Sequence, residues 1–337
     1  MDLDRLSFAP KIVAPAIIAV IALVVLEFWA YFGFNESSAE RNAFGYSRDA
    51  AFSVEGLYVA IAPAASRRFW PQRYALEKPL ASRRIMVVGD SVMRGAALED
   101  SITEVLRRKL GERCELSTEV WNLSSPGYGS RRKAVVVNKA LEFHPDLIIY
   151  HAAITTEYED SREWERYLEY HSWHPRHWVD QLPFLGAVKL SKVERTYWQW
   201  LPEDVRAASL EDPLAVRLAA LASKTDRKHW MPKMLLNLDR TVDEVVTAGI
   251  PIIILAHAEF DRASGRVTNA GLDQALAERY ASRPGVSVAS NWEIFSSGVD
   301  PSQMFFDSSH WTLAGTDVVA RALGQLAGRL FNGGGIC

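Results

Sequence analysis

The chain has 337 residues, 48% of them hydrophobic, a formal net charge of −3 and two cysteines. That balance excludes a disordered polyelectrolyte and gives no broad basic surface for nucleic acid. Two thiols cannot make a disulfide-rich scaffold, and the length suits one sizeable core once an N-terminal segment is set aside.

Residues 12–33 form an apolar run whose only charged residue is Glu27. At about 1.5 Å per residue such a helix reaches the ~30 Å of a bilayer core. Phe28, Trp29, Tyr31, Phe32 and Phe34 crowd its far end, as an interfacial aromatic belt would. A cleaved secretory signal is the competing reading. The run is long for one, and no small-x-small cleavage site follows, so residues 1–34 read as an uncleaved anchor. Arg5 and Lys11 precede it and Arg41 and Arg48 follow, so flanking charge gives no orientation. Residues 35–83, containing Phe69-Trp70-Pro71, read as a connector packed along the domain.

Ile85-Met86-Val87-Val88 reads as a buried parallel strand and 99–110 as the helix after it. Between them stands Gly89-Asp90-Ser91, which places a serine at the carboxyl end of a strand, where open α/β sheets hold their ligands. The spacing to Val120-Trp121-Asn122-Leu123-Ser124-Ser125-Pro126-Gly127-Tyr128-Gly129 leaves room for one helix and a second strand. A third strand runs over 143–150, with Pro145 near its start. From Glu157 to Pro232 lies an insertion holding Trp164, Trp173, Trp178, Trp198, Trp200 and Trp230, six of eleven tryptophans. It reads as a helical subdomain with tryptophan in its core, or as a lid, a sugar-binding wall or a face for a membrane partner. Then come a helix over 241–248, stopped by Gly249, and strands at 250–256 and 286–289. Near the end stand Asp307-Ser308-Ser309-His310 and a last helix over 312–324.

Strand and helix in alternation predict an α/β fold with a flavodoxin-like, doubly wound parallel sheet. Ser91, His310 and Asp307 supply the parts of nucleophilic catalysis. A serine hydroxyl needs a base to take its proton, and histidine titrates near neutrality. The carboxylate fixes the imidazole tautomer and stabilises the imidazolium.

The blocks containing Ser91, Gly127 and Asp307–His310, in that order, resemble the SGNH or GDSL-type hydrolases over residues 84–330. The resemblance implies a serine acyl-ester enzyme without a cofactor, whose oxyanion is held by the Ser91 and Gly127 amides. In that family the third strand runs into a Gly-x-Asn-Asp segment whose asparagine also donates to the oxyanion. Here His151-Ala152-Ala153-Ile154-Thr155 puts Thr155 in that place. Loss of one such donor costs about 2.7–4 kcal/mol of transition-state stabilisation. An anchor with an aromatic insertion is similar to the envelope-polysaccharide O-acetylation proteins. That likeness implies an extracytoplasmic or periplasmic domain, an acyl-ester or glycan substrate, and a membrane-protein partner. The rival expectation is a non-catalytic subunit that keeps the hydrolase fold as scaffold.

Other motifs carry less. His171, His174 and His177 are interrupted by Pro175 and lack further ligands, so no metal site is expected. Gly127-x-Gly129 has Arg132 where a dinucleotide fingerprint needs its third glycine. Asp90 is expected to tie down the nucleophile turn. Arg131-Arg132-Lys133 reads as a solvated helix face, with attraction of an acidic polymer as the functional alternative. His257 reads as a polar strand terminus or a group facing the site. Asn122-Leu123-Ser124 reads as part of the second block, not as a glycosylation sequon. Cys114 and Cys337 either pair or leave Cys337 a free thiol after Gly333-Gly334-Gly335.

Overall fold

The computed structural model describes residues 9–33, 44–46, 52–61, 69–112, 117–172, 182–199, 227–269 and 271–332. Cys114, Cys337, His174, His177, Trp173, Trp178 and Trp200 lie outside the described residues. Helix α1 is Ala9–Gly33, and the connector holds strands β1 (Phe52–Glu55), β2 (Tyr58–Ile61) and β3 (Gln72–Ala75). Next come β4 (Ser82–Gly89), α2 (Ser91–Arg94), α3 (Ile102–Gly111), β5 (Ser117–Ser124), α4 (Ser130–Ala140) and β6 (Leu147–Ala152). Helices α5 (Thr155–Ser172), α6 (Pro183–Gln199) and α7 (Arg227–Thr247) lead to β7 (Ile252–Ala256) and the short hairpin β8 (Glu259–Asp261) and β9 (Arg266–Thr268). The chain closes with α8 (Leu272–Tyr280), β10 (Val286–Ser290), α9 (Asn291–Ser296), α10 (Pro301–Met304) and α11 (Leu313–Asn332).

The central sheet has order β10-β7-β6-β4-β5, every pair parallel. This is the flavodoxin-like order anticipated from the strand–helix alternation, and it puts the switch point between β4 and β6. Alternate residues serve opposite faces. Met86, Val88, Ile148, Tyr150, Ile252 and Ile254 pack under α4, α7 and α8, and Ile85, Val87, Leu147, Ile149 and Ile253 under α3 and α11. Both faces are covered, so the strands read as unbroken apolar runs rather than as polar–apolar alternation.

The connector is part of this body. Its antiparallel sheet, ordered β1-β2-β3, contributes Phe52, Val59 and Ile61 to the same core as Trp121 and Phe143. Arg84, fully buried on β4, binds it there. Its guanidinium donates to Glu119 Oε2 at 2.8 Å and to the carbonyls of Ala75 and Phe143 at 2.9 Å each. It also stacks over the Trp121 ring.

The described helices straddle both ends of the insertion read from sequence. α5 starts at Thr155, directly beyond β6, and α7 runs through Pro232. Trp164 stacks on Tyr167, meets Tyr46 edge-on and lies under the Arg131 guanidinium; Trp230 meets Tyr158.

Removing the Arg84 side chain leaves Glu119, the buried Phe143 carbonyl and the partly buried Ala75 carbonyl without their donor. Arg84→Ala is expected to lower the unfolding free energy by about 3 kcal/mol, measured by urea denaturation.

Candidate active site

β4 ends at Gly89 and turns sharply into α2. A Cβ at Gly89 would come within 2.5 Å of Met93 Cγ, so no side chain fits there. Asp90 caps α2, its Oδ1 accepting from the Val92 amide at 3.1 Å. Its Oδ2 accepts from Lys133 Nζ and from His151 Nδ1, each at 3.0 Å. All three side chains are buried. Burial alone would push the Asp90 carboxyl up, but His151 and Lys133 outweigh it and hold the group well below its ordinary range. The turn under Ser91 thus rests on an ion pair joining β4, α4 and the tip of β6.

The loop after β5 comes to the other side of Ser91. Gly127 has φ +70°, and a Cβ there would lie 2.5 Å from Glu159 Oε2. Arg132 holds this loop, donating to the Gly127 carbonyl and to Asp160 Oδ1 on α5, each at 2.5 Å. One turn earlier on α5, Glu157 accepts from the Ser130 amide at 2.6 Å and the Ser130 hydroxyl at 2.8 Å. Burial, with Asp160 adding to it, pushes the Glu157 carboxyl up to about 7.

Arg132 and Lys133 correct the sequence reading of a solvated face, since both side chains are 1% exposed. Their charges are met by Asp160 and Asp90, partners 28 and 43 residues away along the chain. Only Arg131 of the three keeps partial access to solvent.

Asp307 and His310 sit on the loop between α10 and α11. Asp307 Oδ1 accepts from the Ser309 and His310 amides at 2.7 Å each, and Oδ2 from His310 Nδ1 at 2.8 Å. His310 Nε2 lies 2.9 Å from Ser91 Oγ, so the three residues form one hydrogen-bonded line. Burial pushes the Asp307 carboxyl up, but the bonds from His310 and Ser309 bring it down to about 2. The bond to Asp307 raises His310 above its ordinary value, with the Asp307, Asp90 and Glu159 charges adding to the effect against burial.

The loop is braced from behind. Phe260 donates its amide to the Ser308 carbonyl at 2.8 Å, and His257 Nε2 meets Ser309 Oγ at 3.2 Å. His257 follows β7 and is 4% exposed. It is therefore both a strand terminus and a contact of the site. Burial, with His151 next, lowers its pKa to about 3, so it is neutral at physiological pH. Its ring lies edge-on to His151, 5.1 Å between centroids.

A cleft of about 200 Å³ opens over this line, walled by Ser91, Gly127, Thr155, Thr156, Glu159 and the 307–310 loop. Thr155 stands at the first position of α5. The structure brings Ser91, Gly127, Thr155, Asp307 and His310 to one cleft. Around it stand Lys133, which the sequence reading gave another role, and His151, Glu157, Asp160 and Glu159, to which it gave none. The one sequence cue for them is His151, a titratable residue in an otherwise apolar strand. Asn122 is buried in β5 with its amide on Thr103 and the Arg94 carbonyl, in keeping with a structural place in the second block.

No protein-family model matches the chain, and no curated protein matches it in sequence. Solved structures do. A catalytic mutant of an acetylxylan esterase from Geobacillus stearothermophilus is 12% identical, with TM-score 0.42, covering 72% of this chain and 93% of that one. The lipase/acylhydrolase from Enterococcus faecalis is 13% identical, with TM-score 0.40, covering 74% and 96%. A GDSL-like lipase from Bacteroides thetaiotaomicron is 10% identical, with TM-score 0.39, covering 74% and 89%. Likeness this distant says nothing of what this chain binds or cleaves.

A base must be neutral to accept a proton, and a raised pKa keeps His310 protonated to higher pH. The rate at which Ser91 reacts with an acylating probe should therefore rise with pH through a midpoint above 6.5. Asp307→Asn should move that midpoint down and slow the reaction by about 10⁴-fold. His257→Ala should slow it by about tenfold, and a cycle with Ser309→Ala should be non-additive, because the two side chains act through one bond.

Proposed function

We propose that this chain is a membrane-anchored serine acyl-ester hydrolase or O-acyltransferase acting on an envelope glycan or lipid ester. The observation that carries this reading is the unbroken Ser91–His310–Asp307 line, with both hydrogen bonds at 2.9 Å or less. His310 Nε2 takes the Ser91 proton as Oγ attacks the ester carbonyl, then returns it to the leaving alcohol. Asp307 holds the Nδ1–H tautomer and stays ionised throughout.

The negative oxygen of the tetrahedral intermediate falls to the Ser91 and Gly127 amides, with the Thr155 hydroxyl as third donor. Thr155 lines the cleft at the head of α5, where helix geometry aims backbone N–H groups outward. The resulting acyl-enzyme passes its acyl group to water or to a sugar hydroxyl. The small cleft suits a short acyl group.

The anchor is α1. Its segment Val13–Phe32 has mean hydropathy 2.4 and is 6% buried against the rest of the chain. A signal sequence passes the same test of length and composition, so retention needs its own measurement. The catalytic domain on this reading is extracytoplasmic, next to a membrane partner that supplies or receives the acyl group.

Labelling the detergent-solubilised chain with a fluorophosphonate tests the reading. Wild type should label and Ser91→Ala should not. A folded wild type that stays unlabelled by probes small enough for the cleft favours the scaffold reading. Thr155→Val should slow acylation by about 10²-fold, the usual loss for one oxyanion donor, whereas Thr155→Ser should keep most of the rate.

A further inference from the structure

Glu27 is the one charged residue in the span Val13–Phe32. A carboxylate there is costly unless something meets its charge. Its two oxygens accept from the backbone amides of Phe184 and Leu185, each at 2.8 Å. These amides belong to the first turn of α6, where backbone donors have no partner within the helix. Pro183 opens that helix and has no N–H to offer, so Glu27 takes the next two donors in line. The helix dipole places partial positive charge at the same point. One turn on from Glu27, Ala30 is fully buried, on the side of α1 that meets α6. A small side chain there allows close approach.

We infer that α6 docks on the anchor at the boundary between lipid headgroups and acyl chains, making the insertion a second membrane-contacting element. The inference rests on α1 being a retained anchor. Glu27 lies five residues before Phe32, the end of the apolar span, which places the docked turn about 7 Å inside it. That is the depth at which interfacial helices bury their apolar faces. Phe28, Trp29, Tyr31 and Phe32 are 67–70% exposed on the same stretch of α1, and Val188, one turn into α6, is 51% exposed. A lipid surface covers all of them at once. The consequence reaches the site through α5. Tyr170 near its C-terminal end packs with Leu190 and Val193 of α6, while Thr155 at its head, about 22 Å along the helix, walls the cleft. On this inference α5 is the rod that fixes the distance of the cleft from the bilayer.

The test uses the full chain carrying Cys114→Ser and Cys337→Ser, with a nitroxide at Val188→Cys, in phosphatidylcholine–phosphatidylglycerol vesicles. The expected result is relaxation by oxygen well above that by a nickel chelate, reversed in Glu27→Ala. Residue-resolved hydrogen exchange should show Phe184 and Leu185 protected in wild type and at least tenfold faster in Glu27→Ala. Glu27→Gln, with one acceptor oxygen, should keep part of the protection. Ala30→Leu should displace α6 without altering the carboxylate, giving a second route to the same loss. A nitroxide freely reached by nickel in vesicles holding the intact chain would overturn the docking. So would a nitroxide reached by neither agent, which would mean a second copy covers the face. Intact mass separates these outcomes from failure of the anchor reading, since a mature chain beginning after residue 34 removes both.

Discussion

The buried Asp90 carboxylate is the contact on which the site depends. It caps the helix carrying Ser91, receives the Lys133 ammonium from α4 and binds His151 at the tip of β6. Each partner comes from a different element around the switch point of the sheet. Losing Asp90 would strand an ammonium that is 1% exposed, and breaking such pairs typically costs about 3–5 kcal/mol. The aspartate in Gly89-Asp90-Ser91 is therefore the floor of the nucleophile turn as well as its cap.

The sequence makes the sheet legible because strands buried on both faces are written as uninterrupted apolar runs. Ile85–Val88 and Ile252–Leu255 could hardly be anything else once the helices between them were seen. The Ser91–His310–Asp307 line was legible for a different reason: serine, aspartate and histidine stand in short motifs. What stayed hidden was held by distant partners. Arg132 and Lys133 look like solvated cations because nothing in their neighbourhood announces Asp160 or Asp90. The sheet β1-β2-β3 also escaped notice. Its strands are four residues each, and Gly56-Leu57 between two of them gives little pattern to read.

Thr155 looks, by sequence, like a missing donor. In the structure the same position is the head of an 18-residue helix. That helix also holds the Gly127 loop through Glu157 and Asp160. One element thus orders both sides of the cleft opposite His310. Its hold on the loop depends on Glu157, whose carboxyl burial pushes up to about 7.

Ser91 and His310 are 219 residues apart along the chain and meet only where the end of β4 and the loop between α10 and α11 come together. On the proposed reading, Ser91 is an ordinary alcohol until that loop is in place. Labelling of the serine then reports the folded state of the whole α/β body rather than of the Gly89-Asp90-Ser91 turn, and a cut between β10 and His310 would silence the protein while leaving its serine untouched.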